Sequence, residues 1–280
     1  MKILYVVHQF FPECFSGTEQ YCLAVTREAL RRGHDARVLS LDPNLGKDRE
    51  ALRVVRRDYD GIHVDRMQHW WGLLPNDTLR DYHNPLVGEM FRRVLREFQP
   101  DVVHVFHVRN LGADFLQIAK DEGCRLVVHL MDFWFLCPEF TLRRTDGTLC
   151  EGPPDGGLGC VSCHVPRLGE VWQDPKSATI ARELALEGSP PAMHWSTVDR
   201  FTALMQRPEK LRKALGLADA VIAPSLFLRD MFVKNGFDAS SIEVMAYGLQ
   251  PDRVERREVT RPRDPLRVTF GGVLSPWKGP

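Results

Sequence analysis

Four cysteines, Cys137, Cys150, Cys160 and Cys163, fall in one loop-rich stretch with the spacing C-x12-C-x9-C-x2-C. Thiolates are soft ligands, and four of them suit a closed tetrahedral zinc site. An iron–sulfur cluster needs the same number of thiolates. His164 can replace one of them. Gly152, Pro153, Pro154, Gly156, Gly157 and Gly159 let the chain bend around a centre. The stretch has too little apolar content to hold itself, so a structural metal is the expectation, with ordinary buried cysteines as the bland alternative. Only one C-x-x-C is present, which excludes a two-knuckle finger.

A second group carries acid–base and binding chemistry. His107 ends a β-prone run, and its imidazole titrates near neutrality, so it can bind a hydroxyl or take a proton. Arg109 and Asn110 beside it are candidate substrate contacts. His104, three positions earlier, faces the other side of the strand and reads as packed. Asp132 follows the next β-prone run, where a carboxylate orients a hydroxyl or caps a turn. Ser16, Gly17, Thr18 and Glu19 open a helix, whose N-terminal N–H groups favour an anion. The G-x-G-x-x-G dinucleotide pattern is absent there, which argues against nicotinamide chemistry. Trp70 and Trp71 are candidates for contact with an acceptor or a membrane interface, against a plainer role packing over the sheet edge.

These groups need elements to hold them, and strand and helix signals alternate from the start. Residues 3–7 read as a strand buried on both faces. Residues 16–33 read as a helix with a Ser16–Glu19 capping box, an apolar stripe of Cys22, Val25, Ala29 and Leu30, and Gly33 to end it. Strands follow at 36–41 and 61–67. Asn84 and Pro85 open a helix along which Leu86, Met90, Val94 and Phe98 repeat. Then come strand 101–107, helix 111–122 and strand 125–130. Helices are expected at 177–187 and 197–206, with Pro208 interrupting before a short helix near Gly216. Strand 218–223, helix 226–235 and strand 242–246 complete the pattern.

Such alternation implies right-handed crossovers and a mostly parallel sheet, a doubly wound Rossmann-like α/β domain over 1–249. Residues 137–169 read as a cysteine-rich loop insertion in it. Ligands of such sheets bind beyond the carboxyl ends of the strands, where His107 and Asp132 lie. Residues 250–265, with three prolines and five arginines, read as a linker. Residues 266–270 read as the first strand of a second domain over 266–280. The chain therefore reads as one domain and the start of another, a truncated enzyme expected to be inactive alone.

Composition bounds the rest. Lys plus Arg and Asp plus Glu are both 37, so the formal charge is zero and a nucleic-acid partner is not expected. No stretch approaches the roughly 20 apolar residues of a membrane span, and the N-terminus lacks a signal-peptide pattern. The expectation is a cytoplasmic protein, with peripheral membrane contact as a variant, whose seven cysteines are not disulfide-paired.

Several segments in order resemble one family: SGTE at 16–19, RGH at 32–34, PDVVHVFH at 100–107, DFWFLC at 132–137, ADAVIAPS at 218–225 and FGGVLSPWKG at 270–279. They are similar to segments of the retaining glycosyltransferases of family 4, which have the GT-B fold of two facing Rossmann-like domains. The resemblance covers nearly the whole chain. It implies transfer of a sugar from a nucleoside-diphosphate sugar to a hydroxyl acceptor, glycan or lipid-linked, with retention by a front-face route. It implies that the N-terminal domain binds mainly the acceptor and the C-terminal domain the donor. Ser16, Gly17, Thr18 and Glu19 would then lie near the donor phosphates, His107 and Asp132 at the reaction centre, and Lys278 on the donor pyrophosphate. Several members carry a cysteine-rich insertion like 137–163, and no metal is expected at the reaction centre itself. The sequence departs from the family at Ser16, where a glycine is usual, at Met131, where a histidine is common, and at Val273, where many members have arginine. The family's E-x7-E donor motif is not present in these residues. The alternative reading is a non-catalytic module that binds an acceptor or partner and carries a structural metal loop. A GT-B-type epimerase is a distant third.

Overall fold

The computed structural model describes residues 1–42, 52–69, 77–164 and 197–248, with Pro265, residues 268–272, Leu274 and Lys278 beyond them. The chain divides into two units, Met1–Met245 and Ala246–Pro280. The first contains the strands β1 (Lys2–Val6), β2 (Asp35–Leu41), β3 (Leu52–Arg56), β4 (His63–His69), β5 (Val102–Val105), β6 (Arg125–His129), β7 (Ala220–Ala223) and β8 (Ile242–Val244). They form one sheet in the order β3-β4-β2-β1-β5-β6-β7-β8. Every pairing is parallel except the antiparallel β3–β4 edge. β1 sits between β2 and β5, so the winding reverses there and a crevice opens at the carboxyl ends of β1 and β5.

Period-two alternation sends successive strand residues to two cores. Ile3, Tyr5 and Val7 face one side with Val38, Phe106 and the helix α1 (Gly17–Arg31), whose Cys22, Leu23 and Ala29 are buried against them. Leu4 and Val6 face the other with Val103 and Val105, beneath α3 (Pro85–Phe98) and α4 (Asp114–Asp121). The stripe Val87, Met90, Phe91, Val94, Leu95 and Phe98 is buried along α3. Asn84 caps that helix and Pro85 opens it, as its residue types dictate. The short helices α2 (Asp77–Arg80) and α5 (Val161–His164) and the long α6 (Thr197–Leu215) and α7 (Leu226–Lys234) complete the described set. α6 has two buried faces: Ala203, Leu211 and Leu215 join the larger core, while Phe201, Leu204 and Met205 pack on Cys160 and Val161. Among the described residues no helix is long and apolar enough to cross a membrane.

Three local expectations change. Pro208 lies inside α6 rather than breaking it. Proline removes the donor to the Leu204 carbonyl, and that oxygen instead faces Gly157, 3.3 Å from where a Cβ would stand. At α1, Ser16 is the N-cap but makes no side-chain cap bond to the backbone; its hydroxyl donates to the Glu19 carboxylate. Of the expected strand 266–270, residues 268–270 are described and are not in a strand; Val268 is highly exposed. A lone apolar segment gains nothing from extension without a ladder to join. The expected helix 177–187, Trp70 and Trp71 lie outside the described residues.

The loop after β5 is held by a largely buried carboxylate. Asp114 Oδ2 accepts from the Asn84 backbone N–H at 2.9 Å. Gly112, at φ +106°, passes so close that a Cβ would stand 2.3 Å from Asp114 Oδ1. Burial pushes the Asp114 carboxyl up to about 7, against hydrogen bonds from Asn84 and neighbouring amides and the charge of Arg92, which pull it down. The folded state thus holds this proton more tightly than the unfolded chain. The contribution is neutral below the unfolded value near 4 and is lost as pH rises toward 7, at about 1.4 kcal/mol per pH unit. His8 and His104, held neutral by burial, contribute the opposite slope to wild type and variant alike, so Asp114→Asn should gain unfolding free energy in urea relative to wild type as pH rises from 5 to 7. An unchanged slope in the variant would show that Asp114 ionises freely.

Candidate functional site

β1, β5 and β6 all end at the same sheet edge. His8 follows β1, His107 follows β5 and Asp132 follows β6. The Val6 carbonyl accepts from Phe106 N at 2.8 Å and His107 N at 3.4 Å, which fixes where the β5 loop leaves the sheet. Arg109 N–H then donates to His107 Nδ1 at 3.0 Å. A nitrogen that accepts carries no proton, so the neutral ring has its proton on Nε2. That atom faces Asp132 Oδ2 at 3.3 Å. The other carboxylate oxygen accepts from Trp134 N at 2.8 Å, closing an Asx turn. Asp132 therefore both caps its turn and pairs with His107.

Packing fixes the ring. His107 lies 4.4 Å from the His8 ring and 5.5 Å from the Trp134 ring, centroid to centroid. Its side chain is 6% exposed, while that of Asp132 is 32% exposed. Both His107 nitrogens are engaged and shielded, so the ring acts as a prop. The carboxylate is the member of the pair open to a ligand hydroxyl. Burial raises the Asp132 carboxyl, but the charge and hydrogen bond of His107, the Trp134 amide and Arg109 outweigh it, and the net is below the ordinary value. Burial holds the His8 imidazole well below its ordinary range, and the charges of His107 and Arg109 push the same way. At neutral pH the site thus pairs an anionic Asp132 with an uncharged His8.

The other candidates are placed as follows. Arg109 is exposed, with its guanidinium 4.9 Å from the Phe140 ring centroid. Asn110, at φ +63°, offers its carbonyl to Asn84 Nδ2 at 3.1 Å, which ties the β5 loop to the α3 cap. Ser16 and Gly17 are exposed at the start of α1, which rises from the same sheet edge, and open space surrounds Gly17. Thr18 is half-buried there, and Glu19 is fully buried. Lys278 is exposed within the second unit. His104 packs away from this group, stacked on Phe106 at 4.5 Å, and burial lowers its imidazole to about 3, with His129 adding to the effect.

The four cysteines do meet. Cys137, Cys150, Cys160 and Cys163 line one pocket together with Glu139 and His164. The expectation of a four-thiolate zinc or iron–sulfur centre nevertheless finds no support in the placement of the side chains. Among the described residues no group of three or more His, Cys, Asp or Glu is placed to hold a metal ion. The side chains are engaged otherwise. The Cys150 thiol donates to the Gly152 carbonyl at 2.9 Å, and His164 Nδ1 pairs with Glu139 at 2.7 Å. Cys160 is packed with Phe201, Leu204 and Met205; burial pushes its thiol up to about 12, and the other three cysteines add to the rise.

Reading by residue type missed His8 and Trp134. His8 stands at the carboxyl end of the strand where the winding reverses, so sheet topology was the signal for it. Trp134 carries its part through a backbone N–H, which residue type cannot reveal.

Comparisons with known proteins show what the chain is similar to. Residues 15–147, which contain both His107 and Asp132, match the model of Glycosyltransferase Family 4. A GDP-mannose-dependent alpha-mannosyltransferase of Mycobacterium tuberculosis (strain CDC 1551 / Oshkosh) is 28% identical over 219 residues, 76% of this chain and 52% of the relative. The chain thus spans about half the length of that curated relative. Among solved structures, Anabaena HepE in complex with UDP and glucose is 17% identical, with a TM-score of 0.43 over 90% of this chain and 46% of that one. The apo form of the lipopolysaccharide outer core galactosyltransferase WaaB is 12% identical, with a TM-score of 0.48 over 95% and 50%. By the matched segment at 15–147, a little under half of the chain, this protein is similar to glycosyltransferase family 4.

Proposed function

We propose that residues 1–249 form the acceptor-side domain of a retaining glycosyltransferase that moves a sugar from a nucleoside-diphosphate sugar to a glycan or lipid-linked hydroxyl. The observation that carries the reading is the His107–Asp132 pair, a solvent-facing carboxylate on a buried imidazole prop at the sheet's switch point. In this reading the bond from the sugar's anomeric carbon to the diphosphate breaks, and the bond to the acceptor oxygen forms on the same face. The acceptor proton passes to a departing phosphate oxygen. Asp132 accepts a hydrogen bond from an acceptor hydroxyl and orients it, which supplies positioning rather than proton transfer. Arg109 and the open start of α1 at Ser16, Gly17 and Thr18 are proposed contacts for the donor's charge, as is Lys278, with buried Glu19 holding Ser16 in place through its hydroxyl. The likeness to a glycosyltransferase family and to a mannosyltransferase disfavours a module that only binds.

The M. tuberculosis relative's name makes GDP-mannose the first donor to try. Full-length protein incubated with GDP-mannose, and in parallel with UDP-glucose, should release the nucleoside diphosphate faster when hydroxyl acceptors are added, and the product should keep the donor's anomeric configuration by proton NMR. Inverted product contradicts retention. Failure to consume any nucleotide sugar across a donor panel contradicts the reaction class.

A further inference from the structure

We propose that Arg207 is a positioning residue for this site: it ties the loop after β5 to the loop after β6 and so sets the separation of His107 and Asp132. Arg207 projects from α6 and is 1% exposed. Its Nε donates to Asp81 Oδ2 at 2.7 Å. Its Nη2 donates to the Trp134 carbonyl at 2.7 Å, and the guanidinium carbon lies 5.0 Å from the Trp134 ring centroid. Each contact leads to one half of the site. The backbone carbonyl of Asp81 accepts from Ala113 N at 2.7 Å, which holds the far end of the loop that starts at His107. The backbone N–H of Trp134 holds Asp132, and the Trp134 ring packs on His107.

A buried guanidinium is costly to desolvate, and a fold needing only cohesion does as well with an apolar side chain. What guanidinium adds is a rigid fork that reaches two acceptors at a fixed spacing. Here those acceptors belong to the supports of two different strand-end loops. Lysine keeps the charge but presents a single point and cannot span them.

The kinetic part of the test rests on the proposed sugar transfer, and the spectroscopic part does not. In the 280-residue chain, Asp132 should be followed by carbon-13 carboxyl shifts and His107 by nitrogen-15 shifts. Wild type should show a depressed Asp132 titration and the Nε2-protonated His107 tautomer. Arg207→Lys and Arg207→Met should raise the Asp132 titration and mix the His107 tautomers. In full-length protein Arg207→Lys should lower kcat by about 100-fold, the cost of roughly 1 Å of misplacement, with KM for the donor little changed. Thermal melts establish which variants fold, and if the methionine variant does not, the lysine variant decides. A folded Arg207→Lys protein with wild-type Asp132 and His107 signals overturns the proposal. Shifted signals in the variants, together with a wild-type protein that transfers no sugar, would uphold the positioning and overturn the reaction.

Discussion

Full-length protein carrying Asp132→Asn is expected to transfer sugar about 100-fold more slowly than wild type, within the range measured for lost acid–base and positioning groups. Asparagine keeps the carbonyl oxygen that receives Trp134 N–H, so the turn and the fold should survive. It loses the negative charge that His107, the Trp134 amide and Arg109 stabilise. It also replaces a two-acceptor group by one that offers a single acceptor oxygen. His107→Ala should fall by a similar factor, since it removes the prop under the same carboxylate. The double variant should be little worse than either single one, because the two residues act as a unit. The pH dependence has a definite sign. The Asp132 carboxyl lies below its ordinary value of 3.8 in the folded chain. Its ionised form, and the stability from its partners, is fully present above that ordinary value and is lost as pH falls through the depressed one. The acid limb caused by Asp132 should therefore appear below about pH 4. Steady-state kinetics on the variants, with circular dichroism to check folding, tests all three statements. Additive losses in the double variant would mean that the residues act independently.

Phe115→Ala is expected to cost about 4 kcal/mol of stability, the range for an aromatic side chain removed from a packed core. Phe115 and Phe91 are fully buried and stacked, with ring centroids 4.1 Å apart and planes 2° from parallel. They join α4 to α3, two helices packed closely enough that a Cβ on Gly88 would stand 3.0 Å from Ile118 Cδ1. So tight a seam cannot collapse onto the cavity, which keeps the cost near the upper part of the range. For a domain of this size the midpoint should drop by roughly 8–16 °C. Because α4 follows the β5 loop, the same change should loosen the support of His107. A drop of less than about 1 kcal/mol in urea or thermal unfolding would contradict this account of the seam.

Much of the fold was legible because its signals are local. Strands β1, β5 and β6 are mostly apolar β-prone runs, as burial on both faces requires, and Asn84, Pro85 and Gly33 punctuate helices through backbone chemistry. β3 was not legible. It is an edge strand with Leu52 exposed, and its pairing depends on β4 rather than on any pattern of its own. Pro208 misled because its helix-breaking tendency is local, whereas the packing of α6 on the segment at Gly157 and Cys160 is not.

At the site, His107 and Asp132 were found from residue type at strand ends. Their division of labour was not, since it turns on the Arg109 amide and on burial. Arg207 gave no signal at all: an arginine in a helix reads as a surface residue until the fold encloses it. The cysteines show the converse. Their spacing correctly brings four thiols to one pocket, but spacing says nothing about the carbonyl that engages Cys150 or the core that holds Cys160.

The central claim is that Asp132, propped by His107, serves the acceptor rather than the donor. It is tested most directly by how the Asp132→Asn full-length protein divides its donor between transfer and hydrolysis by water. Transfer should fall by about 100-fold while the slow release of nucleoside diphosphate to water changes by less than about tenfold, because water needs no orienting carboxylate. Parallel loss of both, or unchanged transfer, would contradict the claim.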